Sequence, residues 1–105
     1  MSEEEIREQK AYLLLELDDQ KIMVASLRER DTRDHEAMQA LADSYLPPNP
    51  SPELRGSALR IGNKDYPLSS FDVVAGLERR KSLAAAEEKL RMLVERAQKI
   101  GIQLS

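Results

Sequence analysis

The stretch Tyr45-Leu46-Pro47-Pro48-Asn49-Pro50-Ser51-Pro52 decides how the chain is organised. Proline lacks the N–H that a helix needs, and its ring clashes with the preceding turn, so this run cannot lie inside a helix. What precedes it is very different. Residues 2–46 contain no Gly and no Pro. Ser2 stands where an N-cap would, and Glu5 three residues later completes a capping box. Apolar residues then recur at helical spacing: Ile6, Leu13, Leu17, Val24 and Leu27, and later Met38, Leu41 and Tyr45. This pattern predicts a first helix over about 3–46. Its weak point is Arg28 to Glu36, an unbroken polar run in which Asp31 and Asp34 occupy stripe positions. Either the helix continues through a charged layer, or it restarts with Asp31 or Thr32 as a cap. The absence of any breaker favours continuity.

Beyond the prolines, Ser51-Pro52-Glu53 reads as a cap, a first-turn proline and an acid, hence one short helical turn ending at Gly56. Leu59 and Ile61 alternate with polar neighbours, Gly62-Asn63-Lys64-Asp65 is turn chemistry, and Tyr66 and Leu68 alternate again. A small β-hairpin follows, with Pro67 confining its second arm to a sheet edge. These apolar residues need burial against the helix ends. Ser69 is the expected N-cap of a second helix over about 70–100, with Asp72 at the third position and Leu68 stapled onto Val73. Gly76 costs that helix about 1 kcal/mol and so marks a close approach. Gly101 suits a left-handed cap, with Ile102 folding back over the last turn.

The expected fold is therefore mainly α, a single domain over residues 1–105. Two long antiparallel amphipathic helices form a helical hairpin or coiled coil, joined by a Pro-rich connector over 47–69 that carries the hairpin. In the register this layout implies, Asp34 lies across from Lys81 and His35 beside Arg80. Leu41 faces Val74, Met38 faces Leu77, and Leu15 faces Ile100.

Composition narrows the class of function. Charged residues make up 33% of the chain and aromatic residues 4%, a helical or coiled-coil composition. A net charge of −3 argues against nucleic acid as a main partner. There is no Cys, so no disulfide and no thiolate metal site. The acidic start MSEEEIREQK is unlike a signal peptide, and no apolar run approaches bilayer length. The expectation is a cytoplasmic chain, or one inside a virion, with no membrane contact.

No residue pattern points to catalysis, a metal or a cofactor. His35 is the single histidine, and no Cys or Gly-x-Ser-x-Gly nucleophile accompanies it. Asp31 and His35 stand one turn apart, but Arg28, Arg30 and Arg33 around them repel a cation. Asp18-Asp19 and Glu87-Glu88 are adjacent in sequence and diverge on a helix, so neither forms an acid–base pair. Arg79-Arg80-Lys81-Ser82 reads as an ion-pairing face, and Pro47-Pro48-Asn49-Pro50 as a stiff joint.

The densest apolar cluster is Leu13-Leu14-Leu15 with Leu17. Ile6, Leu13, Leu17, Val24 and Leu27 share one side of a helical wheel. Ala11, Leu15 and Ile22 fall opposite, with Leu14 between. Two helices cover one stripe only, so the second needs another surface. Ala11, Tyr12, Leu14, Leu15 and Ile22 are the expected protein interface. The function this supports is a non-enzymatic protein–protein interaction module, a subunit, adaptor or assembly factor that binds a protein partner or itself as a homo-oligomer.

Long helix, small hairpin, long helix resembles the prefoldin chaperone subunits. Ile61–Tyr66 through Gly76-Leu77-Glu78-Arg79-Arg80 is similar to their hairpin-into-helix passage and implies a chaperone component. Tyr66 to Lys81 also resembles the last strand and second helix of the small head-to-tail joining proteins of tailed phages. That likeness implies a ring-forming component of virion assembly, although the first helix here is far longer. In size the chain is similar to the all-helical chorismate mutases, where helix-borne arginines bind a dianion. Arg7, Arg28 and Arg30 would hold that place, but the family's spaced Arg–Ile-Asp–Asp pattern is absent and a hairpin does not belong to its fold.

Overall fold

The computed structural model describes residues 2–101. It is mainly helical, with α1 at Glu3–Ser44 and α2 at Val73–Lys99. Between them lie strands β1 (Glu53–Arg55), β2 (Ala58–Ile61) and β3 (Lys64–Pro67), followed by a 3₁₀ turn at Leu68–Phe71. Among the described residues no helix is long and apolar enough to cross a membrane.

α1 begins as the capping residues require. The Glu5 N–H donates to Ser2 Oγ at 3.2 Å and the Ile6 N–H to the Ser2 carbonyl at 3.2 Å. Glu3, Glu4 and Glu5 place acid at the positive end of the helix dipole. The helix runs unbroken through residues 28–36, as the lack of breakers predicts. It ends at Ser44, two residues short of the expected end. Asn49, from within the proline run, accounts for this: its Nδ2 donates to the Asp43 carbonyl at 2.9 Å. The Ser44 hydroxyl donates to the Leu41 carbonyl at 2.6 Å. The orphan carbonyls of the last turn are thus met by these side chains and by tighter backbone bonds, Tyr45 N–H to the Ala42 carbonyl at 3.2 Å and Leu46 N–H to the Asp43 carbonyl at 3.0 Å, rather than by further α-helix.

The helical turn expected after Pro52 is instead a strand. Glu53, Leu54 and Arg55 pair with Arg60, Leu59 and Ala58, so the sheet has three antiparallel strands in the order β1-β2-β3. Both corners are two-residue loops, Gly56-Ser57 and Gly62-Asn63. Gly56 and Gly62 have φ of 59° and 66°, while Ser57 and Asn63 after them do not have positive φ, which identifies type II′ turns. Gly56 therefore opens a hairpin rather than closing a helix. Pro67 ends the edge strand β3, as expected.

α2 also starts later than Ser69 would place it. Asp72 is the N-cap, its Oδ1 accepting the Ala75 N–H at 3.0 Å. Ser69 belongs to the 3₁₀ turn, where two arginines claim it. Arg30 donates to its hydroxyl at 3.0 Å and Arg79 to its carbonyl at 3.0 Å. Leu68 and Val73 both remain exposed, so no staple forms. At the far end Gly101 takes φ of 82° and its N–H donates to the Gln98 carbonyl at 3.2 Å. The expected fold-back of Ile102 lies outside the described residues.

The chain divides into two compact units, one made of the residues up to Leu27 with those from Ser82 onward, the other of residues 28–81. In the first, α1 and α2 pack antiparallel around Leu13, Leu17, Leu93 and Ala97, flanked by Leu90, Val94 and Ile100. Leu17 is 1% exposed. The buried positions of α1 there, Leu13, Leu17, Gln20 and Val24, follow a four-three-four spacing. Leu15 does not face Ile100. It points away from that seam and is 63% exposed, because Leu13 and Leu17 already occupy the contact.

In the second unit the sheet and the 3₁₀ turn pack with residues 28–44 of α1. Tyr66 meets Phe71 edge-on with ring centroids 6.4 Å apart, and Lys64 reaches Glu36 at 3.7 Å. Leu59, Ile61 and Tyr66 are half-buried. Val74 is largely exposed and so does not cover Leu41 as the expected register required.

Candidate functional site

Three features of the side chains stand out, and the first is a polar hub. Asp34 projects from α1 into the 28–81 unit and is 8% exposed. Its Oδ2 accepts from Arg79 Nε at 2.6 Å, and its Oδ1 lies 3.7 Å from Arg30 Nε. Arg30 Nε and Asp34 Oδ1 are both buried without a hydrogen bond, facing each other just beyond bonding range. One turn earlier, Asp31 accepts from Arg80 Nε at 3.1 Å. The partner of Asp34 is thus Arg79, not Lys81, which pairs with Glu78 at 3.4 Å. Arg79 wins because its fork satisfies the carboxylate and the Ser69 carbonyl together, which a lysine ammonium does less well.

The second feature is a cleft of about 240 Å³ in the same unit, with Asp31, His35 and Met38 of α1 on one side and Asp72, Gly76 and Leu77 on the other. Met38 and Leu77 share its walls, in line with the expected pairing, and His35 and Arg80 both line it. Ser70 lies here too, 3% exposed, with its Oγ lacking any hydrogen-bond partner. Ser70, His35 and Asp31 do not form a nucleophile relay: the hydroxyl is unbonded and Asp31 is engaged by Arg80. Among the described residues, no three His, Asp or Glu side chains gather as metal ligands would.

The third is the outer face of α1 in the first unit. Ala11, Tyr12, Leu14, Leu15 and Ile22 are all exposed, with Ile22 at 69%. Met23 and, on α2, Met92 are exposed as well. Nearby, Arg91 hydrogen-bonds Glu88 and holds its carboxyl below the usual carboxylate range; the same contacts, with Glu95, raise the Arg91 guanidinium. These groups are exposed and form a surface ion-pair chain.

Of the three arginines, Arg28 and Arg30 belong to the 28–81 unit and Arg7 to the other. Pro47, Pro48 and Pro50 are exposed, and the Pro47–Pro48 peptide is cis. Sequence reasoning missed Gln20, Ser70 and the role of Arg79. Gln20 was findable, since the step of three from Leu17 and four to Val24 lands on it; its Nε2 donates to the Ala86 carbonyl at 2.9 Å. Nothing in the local pattern distinguishes Ser70 from Ser69.

No protein-family model, curated protein or solved structure matches this chain.

Proposed function

We propose that this chain is a non-enzymatic protein–protein interaction module whose contact face is formed by Ala11, Tyr12, Leu14, Leu15 and Ile22. The observation that supports this reading is the exposure of a second apolar stripe: Leu15 and Ile22 lie 63% and 69% exposed while Leu13 and Leu17, on the other side of the same helix, are buried. Burying such residues against a partner yields about 25 cal/mol per Å² of apolar surface, and the helix is already ordered before binding. The four-three spacing of Leu13, Leu17, Gln20 and Val24 supports coiled-coil packing as the scaffold that holds the face rigid. A subunit or adaptor role in a chaperone or virion assembly would use the same face.

The test is the double substitution Leu15→Glu with Ile22→Glu. Both positions are exposed, so the isolated fold should keep its helix content by circular dichroism. Light scattering after gel filtration, and co-purification from the native host quantified by mass spectrometry, are compared with the unaltered chain. A specific companion, or a self-assembled mass, that the double substitution removes supports the reading. Identical mass and identical companions in both proteins would refute it.

A further inference from the structure

We propose that the cleft in the 28–81 unit is the seat of a second copy of this chain, with α2 crossing its counterpart antiparallel at Gly76. Gly76 lies inside a helix, where glycine costs about 1 kcal/mol relative to alanine. It has ordinary helical φ, and a Cβ built on it would meet only the Arg79 guanidinium, at 4.0 Å. Nothing within the chain therefore requires a glycine there. The open space above it belongs to the cleft, whose apolar walls, Met38, Val73 and Leu77, are 41%, 60% and 54% exposed. Ser70 supplies an independent sign. Its hydroxyl is buried in the wall of the same cleft without a partner, a deficit of about 1–3 kcal/mol that an incoming polar group would relieve.

The charges choose the occupant. Asp72 and Arg80 both line the cleft, four residues before and four after Gly76. In an antiparallel two-fold crossing at Gly76, Asp72 of each copy meets Arg80 of the other, twice. A parallel crossing would set Asp72 on Asp72 and Arg80 on Arg80. Both groups have capacity left: Asp72 uses Oδ1 on the Ala75 amide, and Arg80 uses Nε on Asp31. A closed two-fold contact places each residue of the patch opposite its mirror position, and the residue on the axis meets its own copy, where backbones come closest. Glycine is the residue that permits that approach. This surface shares no residue with the outer face of α1 and does not depend on it.

Sedimentation equilibrium of the full chain at tens of micromolar decides the matter, and the expected mass is twice that of the chain. Gly76→Gln raises helix propensity and has room within the chain, so it should stay folded yet run as a monomer. Leu77→Glu, at an exposed position, should do the same. Asp72→Asn keeps the N-cap but removes the charge, and should weaken the dimer by about fivefold, through two exposed ion pairs. The Leu15→Glu, Ile22→Glu protein should remain dimeric, which separates this contact from the proposed partner face. A monomeric unaltered chain, or dimers that survive both Gly76→Gln and Leu77→Glu, would overturn the proposal.

Discussion

The two units use the same helix spacing with opposite chemistry. Up to Leu27, α1 meets α2 through Leu13, Leu17 and Val24, with Gln20 the only buried polar side chain among the described residues of that stretch. Within residues 28–81 the continuing positions are Asp31 and Asp34, answered by Arg80 and Arg79. Apolar contact is non-directional, so the first kind of seam contributes burial energy without fixing which residue meets which. The second contributes little net energy, because desolvation offsets much of the Asp34–Arg79 attraction and the Asp31–Arg80 pair keeps Arg80 largely in solvent. It does specify position. Arg30 and Arg79, both held beside Asp34, converge on Ser69, and so tie the last turn before α2 to one place on α1. The sheet hangs between those two anchors, where a slip of one residue would exchange its faces.

Removing one member of each seam is the most direct way to break the comparison. Asp34→Ala leaves two arginines facing each other without a counter-ion and should cost about 3 kcal/mol in chemical denaturation, at the low end for a buried pair because Arg79 keeps some exposure. Replacing Arg30, Asp34 and Arg79 together with Met, Leu and Met should restore most of that stability. Amide exchange at Leu68–Phe71 should nevertheless speed up, since the hydrogen bonds to Ser69 are gone. Unchanged exchange there would show that the hub does not set position. Leu17→Ala, in the apolar seam, should cost about 2–4 kcal/mol through cavity formation and leave exchange at the 3₁₀ turn as it was.

Gln20→Leu sharpens the contrast at a smaller scale. It removes one side-chain bond to a carbonyl already engaged in its helix and adds apolar contact, so equilibrium stability should change by less than about 1 kcal/mol. The smallest effect concerns pH. Glu88 has its carboxyl lowered by the Arg91 hydrogen bond, so its contribution is present above the ordinary carboxylate range and fades as pH falls through the lowered value. Glu88→Gln should therefore narrow the difference in melting temperature between neutral and strongly acidic solution slightly. No such narrowing would mean the pair is silent in solution.

The same contrast explains what was legible in the sequence. The apolar stripe from Leu13 to Leu27 and the absence of breakers through Arg28–Glu36 were enough to read one continuous helix. Gly62-Asn63-Lys64-Asp65 and Pro67 were enough for one hairpin and its edge, although only Gly62 and Asn63 form the turn and Lys64 and Asp65 belong to β3. Glu53–Arg55 was misread because Ser51-Pro52-Glu53 satisfies a helix start locally, while the Gly56-Ser57 pair that makes it a strand lies further on. The start of α2 and the exact pairing of Asp34 were beyond reach for another reason. Ser69 and Asp72 are equally good caps, as are Arg79 and Lys81 counter-ions, and the choice falls to tertiary bonds three residues apart. The exposed face of Ala11, Leu15 and Ile22 was visible in the periodicity, but periodicity carries no sign of what covers it.

The two tight corners at Gly56-Ser57 and Gly62-Asn63 also bear on the order in which the chain assembles. They close the three-stranded meander from contacts only a few residues apart, and hairpins of that kind form in about 1–10 μs. The Asp34–Arg79 contact spans 45 residues of sequence and the Gln20–Ala86 contact 66, so each begins with a larger closure entropy. Once the meander has drawn its flanks together, the first of these loops is already mostly spent, and the second becomes a short extension of it. Assembly should run outward from the sheet, with charged pairs docking before Leu17 and Leu93 meet. Substitutions in the apolar seam should then act mainly on the rate of unfolding, leaving the rate of folding nearly untouched.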